Sequence, residues 1–160
     1  MPSDTDKALA LVTEKFQGVT DQDGEPYLMH CLRVMNGVDL PEAQLVGLMH
    51  DLVEDTDVTI EDLKQMEFDP LTIEAVDLIT HREEDGYADY VVKLKPNPLA
   101  RSAKLADLRD NGSLGRVLYR DLSIDKDLQR IQKYILSYQF LSDRIDESEY
   151  RRRMHSLEKQ

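Results

Sequence analysis

Adjacent histidine and aspartate followed by two further carboxylates close an otherwise apolar stretch at His50-Asp51-Leu52-Val53-Glu54-Asp55. Imidazole and carboxylate groups are costly to bury without partners, so their position at the end of an apolar run asks for a chemical reason. On a helix His50 and Glu54 stand four residues apart on one face, as do Asp51 and Asp55, and the four side chains can line one pocket mouth. Imidazole nitrogen with carboxylate oxygen suits manganese, iron, zinc or a similar divalent ion. Two neighbours on one helix cannot enclose a metal, so further ligands have to come from elsewhere. His30 and Asp107 are the natural candidates, although periodicity alone does not bring them to His50 and Asp51. A solvated helix end is the alternative reading of the His-Asp pair taken alone.

The charge balance narrows the partners. The chain has 160 residues, with 32 Asp and Glu against 20 Lys and Arg and a formal net charge of -12. No basic stripe interleaved with aromatics runs along it, which argues against polymeric nucleic acid. An anionic small molecule would also be repelled at long range, so a site for one needs a metal ion or locally placed cations. Cys31 is the single cysteine, so no intrachain disulfide can form, and it reads as a small buried residue rather than a metal ligand. With no apolar run of about 18 residues and no arginine-flanked leader, no membrane partner and a cytoplasmic location are expected.

Helical periodicity covers most of the chain, and the length suits one domain over 1–160. A first helix is expected over Asp6 to Phe16, and a loop rich in turn formers over Thr20 to Pro26. A helix from Tyr27 to about Met35 then carries His30 near its start. Pro41 begins a helix that is apolar on more than one side, with His50 and Asp51 near its end. Thr59-Ile60-Glu61-Asp62 has the form of a capping box with Asp in place of Glu, and Asp69-Pro70 gives a second start, so helices are expected over 60–67 and 70–80. After the polar stretch His81 to Gly86, helices near 87–95 and 99–110 follow, the second bearing Asp107. The periodic stretch from Ser123 to Leu141 and a charged helix from Glu147 to Leu157 complete an all-α bundle of roughly seven to nine helices. Leu128, Ile131, Ile135, Leu136 and Tyr138 would line the apolar side of the former, to close the core or to form a homo-oligomer face.

Three motifs in order, Gly24-Glu25-Pro26-Tyr27-Leu28-Met29-His30, His50-Asp51-Leu52-Val53-Glu54-Asp55-Thr56 and Lys104-Leu105-Ala106-Asp107-Leu108-Arg109-Asp110-Asn111, resemble the hydrolase domain of the RelA/SpoT homologues, which belongs to the HD-domain phosphohydrolases. The resemblance runs from about Leu9 to Asn111 and includes Asn97-Pro98-Leu99-Ala100-Arg101. It implies a compact HD-type fold and one divalent metal ion, usually Mn2+, held by His30, His50, Asp51 and Asp107. It implies that Glu54 and Asp55 are the catalytic acidic pair and that Asn111 contacts the nucleotide. The implied reaction removes the 3'-pyrophosphate of guanosine tetra- or pentaphosphate. The residues suit such chemistry, because a divalent ion lowers the pKa of bound water while a nearby carboxylate takes the proton. Glu54 is expected to position or deprotonate the water, and Asp55 to assist as acid or base or to orient a metal-bound group. Lys104 would sit beside phosphate, pair with a ligand carboxylate, or make an ordinary surface ion pair. Tyr87 and Tyr90, three apart on a helix, would wall a nucleotide pocket or pack in the core.

The resemblance breaks at the turn before the first motif. An Arg-Lys pair is usual there, with a histidine about five residues upstream, and this chain has Asp21-Gln22 and Phe16 instead. Losing the arginine removes a stacking face for guanine. Asp for Arg also changes the local charge by about two units, each worth on the order of 2 kcal/mol at about 8 Å and an effective dielectric near 20. The change strikes guanine recognition rather than phosphoester hydrolysis. Three functions therefore compete: a nucleotide phosphohydrolase for this or another (deoxy)nucleotide, a metal-bound sensor without turnover, and a helical protein with incidental acids.

Overall fold

The computed structural model describes residues 1–118 and 124–159. Among these the secondary structure is helical, and the one β-type pairing is an isolated antiparallel bridge between Thr20 and Pro26. The expected all-α class holds. None of the described helices is long and apolar enough to cross a membrane.

Local chemistry sets the helix starts. Helix α1 (Asp4–Lys15) begins with a capping box in which Ser3 and Asp6 exchange bonds. The turn leading to α2 (Tyr27–Gly37) is folded around Asp21, whose Oδ1 accepts from the Asp23 and Glu25 amides at 2.9 and 3.0 Å. Gly24 takes φ 81° there, a conformation that favours glycine. A 3-10 turn over Pro41–Ala43 feeds α3 (Gln44–Met49), and α4 (Leu52–Asp55) follows. The single helix expected from Pro41 through Val53 is thus divided. Asp51, at φ -104° and ψ 0°, lies off the helical region, and the chain resumes only as Asp55 bonds back to the Asp51 carbonyl at 2.9 Å.

The Thr59–Asp62 capping box forms as expected, and α5 (Ile60–Gln65) ends early because Glu67 turns to φ 56°. Asp69 caps α6 (Pro70–Ile79), α7 spans Tyr87–Leu94, and Asn97 caps α8 (Pro98–Asn111) through the Leu99 and Ala100 amides. A short α9 (Leu114–Val117) has no counterpart in the sequence expectation. Helices α10 (Ile124–Leu141) and α11 (Glu147–Glu158) close the fold. The division at Asp51 and the extra α9 raise the number of segments above seven to nine. Ser123, the expected start of α10, lies outside the described residues.

Helix α8 touches α2, α3, α6 and α10, and its small buried residues Ala100, Ala103 and Ala106 permit that crowding. Cys31 is buried in the same core, as the sequence suggested. The expected α10 face meets the core only in part: Leu136 and Tyr138 pack against it and Leu128 and Ile135 are about half exposed, whereas Ser137, Phe140 and Leu141 of α10 are buried. Ser137 can face inward because its hydroxyl meets the Lys133 carbonyl and the Tyr150 hydroxyl at 2.8 and 2.9 Å.

Gly47 of α3 lies tightly against the end of α2. A Cβ there would lie 3.2 Å from the Met35 Cα and 3.2 Å from Val38 Cγ1. Gly47→Ala should therefore lower unfolding free energy by about 1–3 kcal/mol in urea titration. A loss below about 0.5 kcal/mol would mean that α2 and α3 separate without cost.

Candidate metal centre and its cavity

Helix α2 supplies His30, the α3–α4 break supplies His50 and Asp51, and α8 supplies Asp107. His30, His50 and Asp107 are buried, and their candidate ligand atoms all lie within 4.8 Å of one another. The two Nε2 atoms are 3.1 Å apart. Asp107 Oδ1 lies 3.4 Å from each, and Asp51 Oδ2 lies 2.8 Å from His50 Nε2 and 3.7 Å from His30 Nε2.

The outer ring nitrogens fix the proton positions. His50 Nδ1 is 2.8 Å from the Gly47 carbonyl, which can only accept, so Nδ1 carries the hydrogen. His30 Nδ1 is 2.6 Å from Asp110 Oδ2. Burial alone would raise the Asp110 pKa, but hydrogen bonds from His30 and Arg33 pull it down to about 2, so this carboxylate too is an acceptor. In the neutral rings both Nε2 atoms therefore present lone pairs to each other and to two carboxylate oxygens. Four acceptors at one point need a cation. Metal–ligand bonds of about 2.1 Å at tetrahedral or octahedral angles put neighbouring donors roughly 3.0–3.4 Å apart, close to the separations here. A divalent ion fits this donor set. A proton is its competitor: burial disfavours the charged His50, yet Asp51 and Asp107 raise its pKa well above the usual value, and Asp107 and Asp110 do the same for His30.

Around this centre lies a cavity of about 620 Å³. The sequence-selected Asp51, Glu54, Asp55, Tyr87, Lys104, Asp107 and Asn111 all line it, with His30 and His50 buried behind. Glu54 accepts from the His81 amide at 3.0 Å, and burial raises its pKa. Asp55 is pushed up to about 6 by burial and by the neighbouring Asp51 and Glu54 charges. Lys104 is no surface ion pair: it is largely buried and reaches Asp107 Oδ2 at 2.8 Å. Asn111 donates to Asp107 Oδ1 at 2.6 Å and accepts from Arg116 at 3.0 Å. Tyr90 is core, bonded to the Ile79 carbonyl, yet its ring still borders the cavity. The Tyr87 hydroxyl is buried, so that residue offers the cavity its ring.

Several contributors escaped the sequence reading. Tyr27 donates to Asp51 and packs against Phe16 in a tilted ring pair, with centroids 4.9 Å apart. Phe16 thus props a residue that holds a candidate ligand, at the place where the resemblance leads one to expect histidine. Asp110 and Arg33 orient His30. Arg116 binds Asp21 at 3.0 Å, Asp23 at 3.1 Å and Asp110 at 2.9 Å, and Arg130 reaches Gln22 at 2.8 Å. The Asp21-Gln22 turn is therefore matched by cations from α9 and α10. Arg130 and Lys133, three apart on α10, had a helical-spacing signal; Arg116, on a four-residue helix, had none.

Among curated relatives, a GTP pyrophosphokinase of Streptomyces coelicolor is 28% identical over 143 residues, covering 81% of this chain and 17% of that protein. A GTP pyrophosphokinase of Myxococcus xanthus is 41% identical over 64 residues, covering 38% of this chain and 8% of that protein. The chain spans less than a fifth of the length of either relative. No family model matches it.

The wild-type protein should carry about one equivalent of divalent metal, which His50→Ala and Asp107→Ala abolish in elemental analysis. Asp107→Ala should also cost about 3–5 kcal/mol of stability, because Lys104 is left buried without its counter-charge. Asp110→Asn should weaken metal binding about 10- to 100-fold. Undiminished metal content in both alanine variants would place the ion elsewhere.

Proposed function

We propose that the chain is a single-domain, divalent-metal-dependent phosphohydrolase acting on a nucleotide phosphate or pyrophosphate, with His30, His50, Asp51 and Asp107 as metal ligands. The observation that carries this reading is the convergence of two imidazole lone pairs and two carboxylate oxygens beside a cavity holding both acids and cations. The relatives named GTP pyrophosphokinase support a nucleotide with a pyrophosphate group. Within that class, a guanosine 3',5'-bis(diphosphate) 3'-pyrophosphohydrolase of the RelA/SpoT type, with Mn2+, is the activity that the three sequence motifs favour.

A divalent ion in this site would supply Lewis acidity and a more acidic bound water. The chain's own groups do the rest. Glu54, fixed through one oxygen by the His81 amide, is placed to orient or deprotonate the attacking water. Asp55, with a pKa near 6, can take up or return a proton near neutrality. Lys104 neutralises Asp107 and brings positive charge to the cavity wall. Asn111 and the Tyr87 ring border the substrate space.

A second reading within the class, another nucleotide, is favoured by the engagement of Asp21 and Gln22 with Arg116 and Arg130. The turn then offers guanine no free cation to stack on. A nucleotide panel with Mn2+, containing guanosine tetraphosphate, deoxynucleotides and 3'-phosphorylated adenosine compounds, should release phosphate or pyrophosphate from at least one. GTP incubated with ATP tests for the pyrophosphoryl transfer named in the relatives. Glu54→Gln should lower kcat by roughly 10²–10⁴ while metal stays bound. Full metal content with no turnover of any nucleotide would leave a sensor in place of an enzyme.

A further inference from the structure

The cavity wall on α10 differs from the metal side. Four Lys and Arg residues line the cavity, and three are held by partners. Lys104 meets Asp107, Arg116 meets Asp21, Asp23 and Asp110, and Arg130 meets Asp127 and Gln22. Lys133 is the exception. Among the described residues its ammonium meets no carboxylate and no hydrogen-bond acceptor, only the ring faces of Tyr87 at 4.3 Å and Tyr134 at 5.6 Å. Cation–π contact offsets part of its lost hydration but neutralises nothing.

An ammonium that is partly stripped of water, borders a cavity and lacks a counter-ion is an incomplete arrangement. Burial and the nearby Lys104 and Arg130 charges lower its pKa, as expected for a cation short of anions. The same Tyr87 ring lies 5.8 Å from Lys104, which in turn touches Asp107, so one ring lies between Lys133 and the cation that pairs with a candidate ligand. Arg116, by contrast, is saturated by three carboxylates, and the acidic Asp21 borders the cavity. Asp21 disfavours a phosphate beside it, whereas the uncompensated Lys133 favours one.

We infer that Lys133 is a specificity-determining residue that binds a phosphate group of the substrate remote from the bond being cut. The role of that phosphate rests on the phosphohydrolase reading, whereas the anion site itself does not. The probes are guanosine and adenosine diphosphates, titrated into metal-loaded protein by calorimetry against the corresponding nucleosides. Wild type should prefer diphosphate over nucleoside. Lys133→Ala should lose roughly tenfold in diphosphate affinity with nucleoside binding unchanged, and Lys133→Arg should restore most of it. On a turned-over substrate bearing a second phosphate, Lys133→Ala should raise KM with kcat held within about twofold. Thermal melts of the Ala and Arg variants check the fold. An unchanged ratio of diphosphate to nucleoside affinity in Lys133→Ala overturns the assignment. A Lys133-dependent ratio without turnover of any nucleotide upholds the anion site and counts against hydrolysis alone.

Discussion

Two imidazole lone pairs facing each other across 3.1 Å, with carboxylate oxygens on either side, are the constraint on which the rest of the molecule depends. A neutral histidine pair could relieve it by turning one N–H inward. The outer partners forbid that solution: the Gly47 carbonyl holds the His50 hydrogen and the ionised Asp110 holds the His30 hydrogen. Each outer bond selects a tautomer, and together they leave a cation as the remaining way to satisfy the centre. Arg33 and Arg116 belong to the same device, since both keep Asp110 ionised and in place.

That requirement explains the architecture around it. Ligands from three separate elements meet only if α2, α3 and α8 lie close together, which Gly47 and the alanines of α8 permit. The division between α3 and α4 places Asp51 off the helical path while His50 remains helical, so two sequence neighbours approach one point. Burying Asp107 without a positive partner would be prohibitive, and Lys104 one turn earlier on α8 supplies it. Tyr27 does the corresponding work for Asp51 by donating its hydroxyl, and Phe16 packs behind it.

Most helix starts were legible because they rest on local chemistry: Thr59 with Asp62, Asp69-Pro70 and Asn97-Pro98 act over three or four residues. His50, Asp51, Glu54 and Asp55 were legible as polar groups ending an apolar run. His30 and Asp107 were reached through motif resemblance, because no periodicity encodes a contact across 77 residues, the separation of Arg33 from Asp110 in the same cluster. The break at Asp51 was hidden, since propensity does not report a distortion imposed by tertiary partners. The inward face of α10 was legible only in part for a related reason: Leu136 and Tyr138 pack on the core, but Ser137 is buried through hydrogen bonds that composition does not reveal, while Leu128 and Ile135 are left about half exposed.

Charge supplies the last step. A chain at -12 repels a nucleotide at a distance, so any attraction has to be generated inside the cavity. The sequence reading set Asp21-Gln22 against an Arg-Lys pair and counted a change of about two charge units for Asp in place of Arg alone. The fold answers with Arg116 and Arg130 from helices beyond the third motif, but Arg116 is spent on carboxylates, so the turn stays acidic. Lys104 and Arg130 are likewise paired, with Asp107 and Asp127, which leaves Lys133 as the cavity-lining cation that meets only aromatic rings among the described residues. The cavity lining thus sets the acidic Asp21 against the uncompensated Lys133 of α10. On the function proposed above, a phosphorylated ligand would meet favourable charge at Lys133 and unfavourable charge at Asp21. The acidic turn thus alters the charge of the cavity lining, while the two imidazoles and two carboxylates that converge on one point stay intact.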